Sequence, residues 1–269
     1  YLGALNAFNA YQPKFVEVPT DNGGLIPEEL DKILETTPNC KFIYVIPDFQ
    51  NPTGRTWSME RRQKFMEVVN KHNLPVLEDN PYGELRYEGT ILPSLKSMDT
   101  KGLVMFLGTF SKIFCPGLRL GWIAAEHSLL SEFVKIKQSA DLHTSNFDQG
   151  VADAYMEQYD LDEHVKEIVA LYKHRRDLIL ESMEKYFPAG TEWTHPEGGL
   201  FLWLTFPEGV SARKVFNKCI EMKVAGVIGD AFYPNQKTDR SMRINYSNMP
   251  DNRIVEGIQR MAKAIKECM

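Results

Sequence analysis

No stretch of this 269-residue chain holds the roughly 20 consecutive apolar residues that a membrane-crossing helix needs, and no signal peptide is visible. Cysteine is scarce. Cys40, Cys115, Cys219 and Cys268 are scattered without a C-x-x-C pair, which fits reduced thiols in a cytoplasmic protein better than a disulfide frame or a zinc site. The six histidines form no H-E-x-x-H pattern, so metal catalysis is not expected. There is no basic block: 31 Lys and Arg stand against 36 Asp and Glu, a formal net charge of −5. Neither nucleic acid nor an anionic membrane is therefore expected as the main partner. Internal repeats and low-complexity segments are missing too. What remains is an ordinary globular composition, 43% hydrophobic and 25% charged, long enough for a large core and more than one domain.

The chain opens at Tyr1, without an initiator methionine, inside a helical pattern that places Leu2, Leu5 and Phe8 on one face. It reads as a fragment of a longer protein. The first half then alternates β-rich runs with helical patterns. KFVEV (14–18), KFIYVIP (41–47), PVLED (75–79), LVMFLG (103–108) and GWIAA (121–125) are the expected strands. Helices are expected from Pro27 to about Glu35, from Met59 to His72 behind a Ser58 N-cap, and near 128–140. Continuous apolar strands in this rhythm predict an α/β fold whose mostly parallel sheet carries helices on both faces. A charged helical stretch near 163–186 leads to GGLFLWLTF (198–206), a helix over 211–222, the segments VAGVIG and SMRINYS, and a last helix from Pro250. The expected organisation is a large domain over 1–160 and, over 161–269, a connecting helix with a smaller α+β domain.

One lysine, Lys112, sits in the apolar passage GTFSKIFCPGLRLGW (108–122). An ammonium group is costly to desolvate, so such a lysine either snorkels to water or has a charge that is readily lost. In open parallel sheets ligands lie beyond the carboxyl ends of the strands, and the notable polar residues fall there in succession. Asn51 follows the strand of 41–47, and Asp79 ends the strand of 75–79 with Tyr82 three residues on. Thr109, Ser111 and Lys112 follow 103–108, and Arg119 precedes the next strand. Singly, each has a plainer interpretation: Asn-Pro-Thr-Gly as a turn, Asp79 or Ser111 as a cap, Tyr82 as a half-buried aromatic, Arg119 as a surface pair. Together they match one ligand, pyridoxal phosphate. Its aldehyde needs a lysine, its pyridinium an acid, its phenolate oxygen donors, and its phosphate hydroxyls and an arginine. A lysine that must react as a neutral amine suits a water-poor setting beside an arginine.

With those residues in place, the chain resembles the class I/II aminotransferases of pyridoxal-phosphate fold type I. Within them it looks like the branch of aminoadipate and kynurenine aminotransferases. The resemblance runs from Tyr1-Leu2-Gly3-Ala4-Leu5 through Asn51-Pro52-Thr53-Gly54, Glu78-Asp79-Asn80-Pro81-Tyr82-Gly83 and Ser111-Lys112 to Pro116-Gly117-Leu118-Arg119. It continues in Pro196-Glu197-Gly198-Gly199, Phe201-Leu202-Trp203 and Arg243-Ile244-Asn245-Tyr246-Ser247.

The resemblance implies that Lys112 forms the Schiff base and moves the proton, and that Asp79 pairs with the pyridinium, which should hold its carboxyl low. It implies that Asn51 and Tyr82 face the phenolate oxygen, that Thr109, Ser111 and Arg119 hold the phosphate, and that Tyr1 stacks on the ring. Arg243 would bind the substrate α-carboxylate as a planar fork, with Asn51 beside it. Gly198 and Gly199 would let backbone approach the substrate or simply form a turn before a strand.

The resemblance also implies amino acid and 2-oxo acid substrates, commonly 2-oxoglutarate as acceptor, and a homodimer. Two departures stand out. The family's front portion, with its phosphate-binding loop, has no counterpart here, and Val227-Ile228-Gly229 lacks the usual proline before the glycine. Alternatives are an aminotransferase-like sensing domain of a transcription regulator, or another fold-type-I pyridoxal-phosphate enzyme such as a C–S lyase or a decarboxylase.

Overall fold

A computed structural model describes residues 1–235 and 238–269. In chain order the first elements are α1 (Leu2–Asn9), β1 (Thr20–Asp21), β2 (Gly24–Leu25), α2 (Pro27–Thr36), β3 (Ile43–Val45), α3 (Met59–His72), β4 (Val76–Asp79), β5 (Val104–Thr109) and β6 (Gly121–Ala124). Then follow α4 (His127–Asp141), α5 (Asn146–Gln158), α6 (Leu161–Tyr186), β7 (Glu192–Trp193), β8 (Phe201–Thr205), α7 (Ala212–Glu221), β9 (Val227–Ile228), β10 (Ser241–Asn245) and α8 (Asp251–Cys268). One compact unit comprises Val18–Asp48 and Thr56–Val169. The other comprises Tyr1–Glu17, Phe49–Arg55 and Ala170–Met269.

The first of these units is built on a sheet of order β3-β4-β5-β6. β3, β4 and β5 run parallel, and β6 returns antiparallel to β5. This is the α/β, mostly parallel sheet that the sequence predicts. Side chains alternate across a strand. On β4, Val76 and Glu78 are fully buried while Leu77 and Asp79 are half-buried. The core gathers Val45, Val76 and Val104 of the sheet with Leu30 of α2 and Phe65, Met66 and Val69 of α3. Each such apolar side chain taken wholly from water contributes about 1.5–3 kcal/mol. Local chemistry sets the helix ends. Ser58 Oγ accepts from Arg61 N at 3.2 Å and caps α3, and Asn73 turns left-handed (φ 50°) to close it. Pro27 opens α2 where its missing N–H costs nothing, with Glu28 and Glu29 against the positive end of the helix dipole.

The other unit carries the antiparallel sheet β7-β8-β10-β9 with α7 and α8 packed together. Its buried residues include Leu202, Leu204, Val215, Met242, Ile244, Ile258 and Ile265. This sheet, α7 and α8 lie in the second half of the chain, but the unit also takes in Tyr1–Glu17 and Phe49–Arg55, which the sequence-based expectation places in the large domain.

Two local expectations differ from the structure. KFVEV is not a strand: Asn235 fastens it instead, its N donating to the Glu17 side-chain Oε1 at 2.9 Å and its Nδ2 to the backbone Phe15 O at 3.0 Å. α5 was not anticipated, although Phe147, Val151 and Tyr155 recur at helical spacing behind the Ser145 cap; it buries only Ala152. Its neighbour α4 buries no residue at all. Among the described residues no helix is long and apolar enough to cross a membrane.

Candidate active site

The β-sheet unit brings six of the proposed residues to the ends of adjacent strands. Asp79 is the last residue of β4, in register with Leu107 of β5. On the other side lies β3, where Tyr44 is paired with Leu77. The Tyr44 hydroxyl donates to Asp79 Oδ2 in a very short hydrogen bond. Burial pushes the Asp79 carboxyl above the usual carboxylate range, and the Tyr44 donor offsets this only in part. The low value that the resemblance implies depends on the bound ring's cation; in the protein alone desolvation outweighs the other influences on Asp79. That is the chemistry of a carboxylate suited to a positively charged ring nitrogen. Tyr82, three residues on, is buried.

Lys112 lies on the connection between β5 and β6, residues 110–120. The pairing of Thr109 with Gly121 closes this loop at its base. Thr109 Oγ1 donates to Leu120 O at 3.1 Å and accepts from Ser111 N at 3.0 Å, so the hydroxyl fixes the turn that presents Ser111 and Lys112. Lys112 and Ser111 are half-buried and Arg119 is exposed. Arg119 adopts φ 55°, and its Nη1 donates to Pro116 O at 2.9 Å. Glycine is required at 108: a Cβ there would fall 2.2 Å from the indole of Trp122, the residue directly across the ladder. That indole stacks on Phe106 at 5.2 Å between centroids. The donor set of this unit, an amine, two hydroxyls, a guanidinium and a half-buried carboxylate, fits pyridoxal phosphate.

The other unit holds Tyr1, Asn51 and Arg243. Tyr1 is half exposed and Asn51 is buried. The Asn-Pro-Thr-Gly segment is a tight turn in which Gly54 N donates to Gln50 O at 2.6 Å. Gly54 sits at φ 72°, and a Cβ there would lie 2.4 Å from Phe201 O. Arg243 projects from β10, and its Nη1 donates to Asn51 Oδ1 at 2.7 Å. The guanidinium lies 4.1 Å from the Phe201 ring centroid and 5.1 Å from that of Phe232, which orients its plane. Gly198 O accepts from the Tyr246 hydroxyl at 3.1 Å, and Gly199 (φ 75°) makes room for Phe49.

Sequence reasoning passed over Tyr44, which sits in an apolar run and looks like strand filling. Its signal is positional, a hydroxyl on the strand next to that of Asp79. It also passed over Glu78, a second acid in PVLED, and the aromatics Phe201 and Phe232 that flank Arg243. A concavity of about 490 Å³ lined by residues 156–162 includes none of the candidate residues.

A family model described as aminotransferase class I and II matches residues 1–261. The chain is 43% identical over its whole length to an aromatic-amino-acid aminotransferase of Thermococcus litoralis, of which it covers 66%. It superposes with TM-score 0.95 and 41% identity on a kynurenine aminotransferase of Pyrococcus horikoshii solved with PMP, covering 99% of this chain and 67% of that one. An α-aminoadipate aminotransferase of Thermus thermophilus, solved with N-(5'-phosphopyridoxyl)-L-leucine, gives 0.94 at 32% identity, covering all of this chain and 69% of the other. The chain thus spans about two thirds of the length of the relatives it matches.

Proposed function

The chain belongs to the class I and II aminotransferases, and from that premise we propose that it moves an amino group from an L-amino acid to a 2-oxo acid, using pyridoxal phosphate held through Lys112. When bound, that cofactor supplies the electron sink into which the substrate's Cα–H bond ionises. The protein's own residues do the rest. Asp79 holds the ring nitrogen in its cationic form. Tyr82 and Asn51 donate toward the phenolate oxygen, Thr109, Ser111 and Arg119 hold the phosphate, and Tyr1 covers the ring face. Arg243, its fork oriented by Phe201 and Asn51, binds the α-carboxylate. Lys112 Nζ carries the proton to and from the substrate carbon.

The observation that carries this reading is the half-buried Asp79 at the end of β4 beside a lysine-bearing loop that follows the adjacent β5. Substrates are aromatic amino acids, aminoadipate or kynurenine, by analogy with the relatives' own names, and the acceptor proposed with them is 2-oxoglutarate. The regulator alternative draws less support: two HTH-type transcriptional regulators of Bacillus subtilis match at 28% identity, against 43% for the aromatic-amino-acid aminotransferase. A lyase or decarboxylase is separated from a transaminase by its products. The test is a purified protein loaded with pyridoxal phosphate and offered single amino donors. Loss of the yellow band with donor alone, and oxo acid formation that depends on a second oxo acid, support the reading. Pyruvate with ammonia, or no spectral response to any donor, contradicts it.

A homodimer fits the apolar side chains that α4 and α5 leave exposed, among them Ile136 (61%) and Phe147 (79%). A cytoplasmic location fits the four free thiols. Sedimentation velocity tests the first, and fractionation of the source cells the second.

A further inference from the structure

Behind the Asp79 face of β4 lies a set of buried charges that the proposed chemistry does not use. Glu78 is wholly buried, and its two carboxylate oxygens accept from Leu95 N and Lys96 N, both at 2.8 Å. Arg62 of α3 is wholly buried too. It donates to Trp57 O at 3.2 Å, Pro93 O at 3.0 Å and Asp48 Oδ1 at 2.6 Å. Arg86 reaches the same Asp48 oxygen at 3.3 Å and donates to Glu88 O at 3.2 Å. Asp48 thus pairs with both guanidiniums, where an unpaired buried charge would cost several kcal/mol, and Glu78 is held by backbone N–H groups.

The placement of these bonds matters more than their number. The loop of residues 80–95 carries Tyr82 and contains no long regular element to hold it. It is fastened at Arg86 to Asp48, at Pro93 to Arg62, and at Leu95 and Lys96 to Glu78. Glu78 is the chain neighbour of Asp79. One strand end therefore presents Asp79 on one face while its preceding residue grips the far end of the Tyr82 loop from the other. A fold that needed only stability would do as well with apolar side chains in these positions, and often better. Directional bonds to backbone N–H and C=O instead fix where a loop sits.

We infer that Glu78, Arg62, Asp48 and Arg86 form a positioning network that sets the Tyr82 hydroxyl against the same cofactor that Asp79 holds. The four are positioning residues: they act through Tyr82 and Asp79. The inference rests on the pyridoxal-phosphate reading of the site.

The experiment uses the cofactor-loaded protein and the variants Glu78→Gln, Arg86→Met and Tyr82→Phe, alone and as the pairs that contain Tyr82→Phe. Three quantities are read: the affinity for pyridoxal phosphate by titration of the apoprotein, the pH midpoint of the bound cofactor's absorbance change, and the melting temperature of the apoprotein. Glu78→Gln and Arg86→Met are each expected to weaken cofactor affinity roughly tenfold and to move the absorbance midpoint. Tyr82→Phe should add little to either, as coupled groups do in a double-mutant cycle. Should Glu78→Gln fail to fold, Arg86→Met carries the test, because it removes a single station of the loop. Full additivity with Tyr82→Phe overturns the inference. So does a lowered melting temperature with unchanged affinity and midpoint, the outcome of a purely structural network. A wild-type protein that takes up no pyridoxal phosphate overturns the functional reading as well, and so is told apart from failure of the network alone.

Discussion

Replacing Glu78 by glutamine should change how stability responds to pH, and the size of the change follows from the structure. Glu78 is a carboxyl with no exposed surface, held by two backbone N–H groups and facing the Arg62 and Asp48 charges. Desolvation outweighs the two hydrogen bonds and raises its pKa from 4.5 to about 7. The folded protein therefore binds a proton between those values that the unfolded chain has released. Stability from this group is fully present below the unfolded pKa and declines as pH rises through the folded one. At about 1.4 kcal/mol per pK unit the whole effect is about 3 kcal/mol, of which roughly 2–3 kcal/mol falls between pH 5 and pH 8. Glutamine does not titrate. Its NH2 group faces one of the two N–H donors and costs a hydrogen bond, about 1–3 kcal/mol, but this cost is the same at every pH. Urea unfolding of both proteins at pH 5 and pH 8 should show the difference in ΔG shifting by roughly 2–3 kcal/mol in favour of the variant at the higher pH. Parallel ΔG-against-pH curves would refute the argument, because they would mean that Glu78 titrates alike in the folded and unfolded states.

Three further substitutions test the site from other directions. Tyr44→Phe removes the donor to Asp79 and pushes that carboxyl up further, so affinity for pyridoxal phosphate should fall roughly tenfold and most steeply at acid pH; a pH series of cofactor titrations reads this. Arg243→Lys keeps the charge but loses the planar fork and its packing on Phe201, so KM for the amino donor should rise tenfold or more while pyridoxal phosphate stays bound. Gly108→Ala places a methyl against the stacked Trp122 indole and should cost about 1–3 kcal/mol, read as a lower melting temperature.

The legible part of this molecule was the part written in periodicity and capping. The α3 boundaries followed from Ser58 and an apolar stripe, and β4 and β5 from short apolar runs bounded by polar residues. The polar residues at the strand ends could be listed in order because a parallel sheet delivers them to one edge. Other features were not legible, for physical reasons. α5 carries a short stripe of Phe147, Val151 and Tyr155, but Gly150 interrupts it and its apolar side chains stay largely exposed. The segment 14–18 has alternation but takes its bonds from Asn235, far along the chain, which no local pattern encodes. Tyr44 and Glu78 act through partners 35 and 17 residues away, so their roles depend on strand register and loop closure.

The most direct measurement is borohydride reduction of the pyridoxal-phosphate-loaded protein followed by peptide mapping. The account predicts one stable phosphopyridoxyl label, on Lys112, lost in Lys112→Ala while that variant still folds. A label on any other lysine, or none in a protein that retains the cofactor, would contradict it.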